Sequence, residues 1–166
     1  MQNLWNDQDA QSYIDQAIAQ GQPADLGLRV YTSRIIGQVP DLVLHGGGNT
    51  SVKITQDDGT RIIHVKGSGW DLETIEAPGL PAVYLQPLLD ARHQGRLSDP
   101  EMVALLRKNL LEADAPNPSV EALLHAYLPD TFVDHTHSTA VLVLADQDNS
   151  EEIMREIYGD RLAFLP

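Results

Sequence analysis

Apolar side chains follow two rhythms along this chain. Tyr13, Ile14, Ala17 and Ile18 recur at helical spacing, which predicts a helix over 8–19 ended by Gly21-Gln-Pro23. Leu28, Tyr31, Ile35 and Ile36 repeat the pattern over 25–36, with Gly37 as the expected C-cap and Pro40-Asp41 as a turn. Alternation then predicts a strand over 50–55, a hairpin turn at Asp57-Asp58-Gly59 and a return strand over 61–66. Residues 70–81 read as irregular, with one helical turn at 71–75. Helical spacing resumes over 85–92, stopped by Gly95. It returns after the capping box Ser98-Asp-Pro-Glu101, in a helix carrying Met102, Val103, Leu105, Leu106, Leu110 and Leu111.

Beyond a loop at 112–118 come a short helix opened by Ser119, a turn at Pro129-Asp130, and a strand from Thr131 that ends in His135-Thr136-His137. The apolar run 139–145 fits a helix or a buried strand by periodicity, and the helix, starting near Ser138, is preferred. Ser150-Glu-Glu152 opens a last helix that Gly159 caps after Tyr158, and Leu162 to Leu165 looks like a strand just beginning. With 166 residues and no interdomain linker or repeat, residues 1–166 are expected to form one domain with a proper core.

Composition narrows the chemistry. No apolar run is long enough to cross a bilayer and the N-terminus lacks a signal-peptide pattern, so the expected setting is the cytoplasm, without membrane. There is no cysteine, so a metal would rest on His and carboxylate ligands. A formal charge of −13 argues against a nucleic-acid surface, which needs clustered Lys and Arg. The same charge repels a phosphorylated small molecule, which would need a locally favourable pocket made of backbone amides or a metal.

Three stretches carry candidate chemistry. His135 and His137 sit two apart on a strand and project to one side, and neutral imidazole is a favoured ligand of zinc and similar ions. Alone, such a pair is more often two partly exposed polar residues than a site. Glu121, on the preceding helix, stands where packing on that strand would bring its carboxylate near. The three glycines of His45-Gly-Gly-Gly-Asn-Thr-Ser51 suit a loop that lies against a ligand and offers N–H groups to an anion. They match neither a P-loop nor a dinucleotide fingerprint. The hairpin brings them beside a second such turn, Gly67-Ser68-Gly69, so the two loops together would cradle a phosphate. Lys66 stands where it could add a positive charge, and His64 reads as a packed or surface histidine.

In order and spacing, His45-Gly-Gly-Gly-Asn-Thr-Ser-Val-Lys53, Val65-Lys-Gly-Ser-Gly-Trp-Asp-Leu72, Asn117-Pro-Ser-Val-Glu121 and Asp134-His-Thr-His137 resemble the class II aldolase/adducin family from about residue 25 onward. The most similar branch includes the aldolase portion of bifunctional rhamnulose-1-phosphate aldolase/short-chain dehydrogenases. The resemblance implies a three-layer α/β/α fold with a largely antiparallel central sheet, assembled as a homotetramer. It implies a divalent metal, commonly zinc, and cleavage of a ketose 1-phosphate, a sugar phosphate, to dihydroxyacetone phosphate and an aldehyde. By position, Gly48, Asn49, Ser68, Gly69, Ser119 and Val120 would hold the phosphate, His135 and His137 the metal, and Glu121 would be the acid/base.

The family pattern has a second serine where this chain has Val120. The family's third metal-binding histidine lies in a later strand, and no histidine follows His137, so the C-terminal part of the family domain is expected to be absent here. The alternative is a non-catalytic, adducin-like or shortened relative that binds a partner, or an epimerase or dehydratase of the same family. A dehydrogenase activity finds no support, because the chain has no dinucleotide fingerprint.

Overall fold

A computed structural model describes residues 2–165. Four antiparallel strands form one sheet in the order β3-β2-β1-β4: β1 Asn49–Thr55, β2 Arg61–Val65, β3 Ala82–Tyr84 and β4 Phe132–His135. On one face lie α1 Asp7–Ala19 and α2 Ala24–Gly37; on the other lie α3 Leu85–Ala91, α4 Asp99–Lys108 and α5 Ala122–Tyr127. The result is the three-layer α/β/α architecture with an antiparallel sheet. Two further helices, α6 Thr139–Ala145 and α7 Ser150–Tyr158, follow the sheet. Among the described residues no helix is long and apolar enough to cross a membrane.

The strand period decides what each layer receives. Ile63 and Val65 of β2 pack with Val83, Leu85, Leu88, Leu106, Leu123 and Ala126 into one core. The alternate positions face α2, where Leu26, Val30, Leu72, Ile75 and Leu80 make the second core with Ile54 against it. In β1, Thr50 turns to α2 and bonds Ser33 at 2.7 Å, whereas Ser51 turns to α5 and meets His125. In β4, Asp134 faces α2, where it pairs with buried Arg29, and the Arg29 guanidinium lies 4.9 Å from the Phe132 ring centroid. His135, the next residue, faces α5.

Several boundaries differ from the sequence expectation. Gly37 is the last residue of α2 and Gln38 caps it; the glycine is needed because a Cβ there would stand 2.1 Å from Glu73 N. Strand β3 was not expected, since three residues give alternation too little length to register. The same pairing explains why α4 stops at Lys108 instead of reaching Leu111: Tyr84 N donates to Asn109 O and Leu111 N to Ala82 O, both at 2.9 Å, drawing 109–111 into the sheet edge. Glu121, not Ser119, is the N-cap of α5; Ser119, two residues earlier, accepts the Glu121 N–H on its Oγ. Strand β4 ends at His135, leaving His137 in the following loop. Residues 162–165 form no strand.

Candidate active site

The open end of β1 and β2 is where the glycine-rich turns meet. Gly48, just before β1, has φ +68°, and a Cβ on it would stand 2.7 Å from His135 O and from Val43 Cγ1, so only glycine lets the loop lie against the end of β4. The loop is tied to the second turn through Gly46: Asp71 accepts its N–H at 2.5 Å and the Lys66 ammonium donates to its carbonyl at 3.2 Å. The third segment is stitched to the second by backbone bonds. Ser68 N donates to Asn117 O at 2.8 Å, Ser119 N donates to Lys66 O at 3.0 Å, and Gly67 bridges to Pro118. Three stretches far apart in sequence thereby become one wall.

The wall encloses a cleft of about 560 Å³, lined by Gly48, Asn49, Ser68, Gly69, Ser119 and Val120 together with Lys66, Glu121 and His137. All six positions expected to hold phosphate therefore line one space with the expected acid/base. Their donors are not equally free. The Ser68 and Ser119 N–H groups are used within the wall, which leaves their hydroxyls. Ser119 Oγ already accepts from Asn49 Nδ2 at 3.2 Å and Glu121 N at 3.3 Å, so its own proton is the donor it retains. Val120 contributes an exposed isopropyl group where a hydroxyl would sit in the family pattern. Lys66 is buried at the cleft wall; burial pushes its pKa down, and the charges of Asp71 and Glu121 oppose that.

The two histidines expected to bind metal are side by side, with ring centroids 4.8 Å apart. His135 Nδ1 lies 3.1 Å from Glu121 Oε2, yet the approach is not that of a hydrogen bond, and this buried nitrogen has no partner. Among the described residues no three His, Cys, Asp or Glu side chains are arranged to hold a metal ion. The donor chemistry thus fits a divalent metal at the imidazole pair, with one orphaned nitrogen available to it, but the described residues do not close a three-ligand cage.

Behind Glu121 lies a buried polar row absent from the sequence reading. Asn49 Nδ2 donates to Glu121 Oε2, Asn49 Oδ1 contacts His125 Nε2, and His125 Nδ1 lies 2.8 Å from Ser51 Oγ. His125 is fully buried; burial, reinforced by its neighbour His135, pushes its pKa from 6.5 to about 4, against the raising effect of Glu121. The signal for it was in the sequence: Glu121 and His125 are four apart at the start of a helix, which puts them on one face.

The family described as "Class II Aldolase and Adducin N-terminal domain" matches residues 29–165. The chain is 38% identical over 141 residues to the uncharacterized oxidoreductase YuxG of Bacillus subtilis (strain 168), an overlap of 82% of this chain and 20% of that protein. It therefore spans about a fifth of that curated relative's length. The solved N-terminal class II aldolase domain of a conserved protein from Thermoplasma acidophilum superposes with a TM-score of 0.80 at 36% identity, over 96% of this chain and 71% of that one.

Proposed function

Because the chain belongs to the class II aldolase/adducin family, we propose that it is a divalent-metal-dependent lyase of sugar phosphates, acting as one domain over residues 1–166. The reaction is retro-aldol cleavage of a ketose 1-phosphate to dihydroxyacetone phosphate and an aldehyde. One observation carries this reading: Glu121, His137 and the glycine- and serine-rich turns line a single cleft, with His135 against Glu121.

The residues divide the work by chemical type. Gly48, Gly69 and the Ser68 and Ser119 hydroxyls bind the phosphate without a basic patch, and Lys66 brings a positive charge to the cleft of a strongly acidic chain. Asn49, its amide engaged with Glu121, Ser119 and His125, fixes the wall from behind. His135 and His137 would hold the metal, zinc being the foremost choice for an imidazole pair. When bound, the metal supplies Lewis-acid stabilisation of the negative charge that develops as the carbon–carbon bond breaks. Glu121 takes the proton of the C4 hydroxyl as the C3–C4 bond opens to give the aldehyde, and returns it to the electron pair left on C3, so the carboxylate is regenerated. The chain is expected to assemble as a homotetramer, a state that sedimentation reads directly.

The lack of a three-ligand cluster among the described residues favours a second reading, a family domain that binds its ligand without turnover. Incubation of the zinc-supplemented protein with a panel of ketose 1-phosphates separates the two. Release of dihydroxyacetone phosphate supports the lyase; phosphate-sugar binding without release supports the binding domain.

A further inference from the structure

With Glu121 as a carboxylate and His125 neutral, the row behind Glu121 has one arrangement of protons that pairs every donor with an acceptor. An ionised carboxylate is acceptor-only, so Asn49 must turn its NH2 toward Glu121 Oε2, and the same Nδ2 reaches Ser119 Oγ at 3.2 Å. The amide oxygen of Asn49 then faces His125 Nε2, and an oxygen can only accept, so Nε2 carries the proton. His125 Nδ1 is left bare, and the Ser51 hydroxyl, 2.8 Å away, donates to it. Ser51 and His125 have no exposed surface and Asn49 has 4%, so water does not offer a substitute partner. Were the proton on Nδ1 instead, two acceptors would face each other either at His125 and Asn49 or, after an amide flip, at Asn49 and Glu121.

We propose that His125 is a positioning residue: its Nε2–H clamps the Asn49 amide in the one orientation that donates to Glu121, and so holds the Glu121 carboxylate toward His135 and the cleft. The clamp spans two elements. Asn49 and Ser51 are alternate residues on the α5 face of β1, His125 sits on α5, and Glu121 caps that helix four residues earlier. Nothing in this row touches the phosphate-lining hydroxyls except through Ser119, so its effect falls on the carboxylate rather than on the bulk of substrate binding. The consequence for turnover rests on the reading of Glu121 as acid/base; the clamp itself does not.

Nitrogen-15 NMR of the full-length protein tests it. Long-range proton–nitrogen correlations of the imidazoles should show His125 with a protonated Nε2 and a bare Nδ1 at neutral pH, and an Nδ1–H tautomer would overturn the proposal. His125→Gln keeps an amide donor near the Nε2 position, whereas His125→Phe keeps the ring's bulk and removes the donor. The Asn49 side-chain amide signals should persist in the Gln variant and move in the Phe variant. In turnover of a ketose 1-phosphate by the zinc-loaded protein, His125→Phe should lower kcat about 10–100-fold with KM little changed, and His125→Gln should recover most of it. A folded Phe variant with wild-type Asn49 signals or wild-type kcat would contradict the clamp. If His125→Phe does not fold, the wild-type tautomer still decides. Absence of turnover in the wild type would count against the lyase reading alone, because the tautomer and amide signals are read without substrate.

Discussion

The two faces of β1 and β4 both bury polar groups, and they use them in opposite ways. Toward α2, Thr50 bonds Ser33 and Asp134 pairs with Arg29, so the polar groups are mostly spent on one another. Toward α5, Ser51, His125, Asn49 and Glu121 form a row that leads outward and ends at the cleft beside the orphaned Nδ1 of His135. Neighbouring residues of one strand thus serve different ends: Asp134 anchors β4 to the helical layer, and His135 faces the site. A closed pair adds anchoring; an open row leaves one group unspent, and that group is where chemistry can occur.

The sharpest way to break this comparison is to change Glu121. Glu121→Gln should reduce ketose 1-phosphate turnover by about 10²–10⁴-fold, the usual contribution of a general acid–base group, while urea unfolding stays within about 1 kcal/mol of the wild type. Equal loss of stability and activity would make Glu121 another member of a closed structural network.

Acid should act on the α5 face next. The folded pKa of His125 is about 4 against 6.5 for an unperturbed histidine, so between these values the unfolded chain binds the additional proton. Stability from this group is complete above 6.5 and is lost as pH falls toward 4, by on the order of 3 kcal/mol in all. His64, whose pKa burial also lowers, adds to the same slope. Urea midpoints across this range should fall with pH, and should fall less steeply in His125→Gln, which cannot titrate there.

On the α2 face the expected effect is smaller and confined to stability. Asp134→Ala leaves the Arg29 guanidinium buried without its carboxylate. Because the Asp134 side chain is half exposed and lets water approach, the cost should be about 2 kcal/mol, below that of a fully enclosed pair. Urea unfolding gives the number, and metal uptake at pH 7 should be retained.

Most of the fold was legible because periodicity is a local signal. The helices at 7–19 and 24–37 and the hairpin of β1 and β2 follow from spacing, capping and turn residues alone, whereas the run 139–145, a helix in the structure, had a period that fitted a strand as well. What escaped depends on partners distant in sequence. Strand β3 exists because it pairs with β2 on one side and meets 109–111 on the other, and Gly37 is a close approach rather than a cap because Glu73 lies against it. In the site, the placement of the lining positions and of the two histidines together was readable from the four motifs taken in order, although His-x-His alone was weak. His125 left only its spacing of four from Glu121 as a signal, because an apolar-flanked histidine in a short helix looks like core, and the register that sets Ser51 and Asn49 opposite it is what completes the row.

The central claim is that the imidazole pair beside Glu121 holds a divalent metal. Elemental analysis of the purified protein, with His135→Ala prepared alongside, tests it most directly. Near-stoichiometric zinc, manganese or cobalt in the wild type and its loss in a folded His135→Ala variant is the predicted result. Metal absent from both, after supplementation at neutral pH, would contradict the claim.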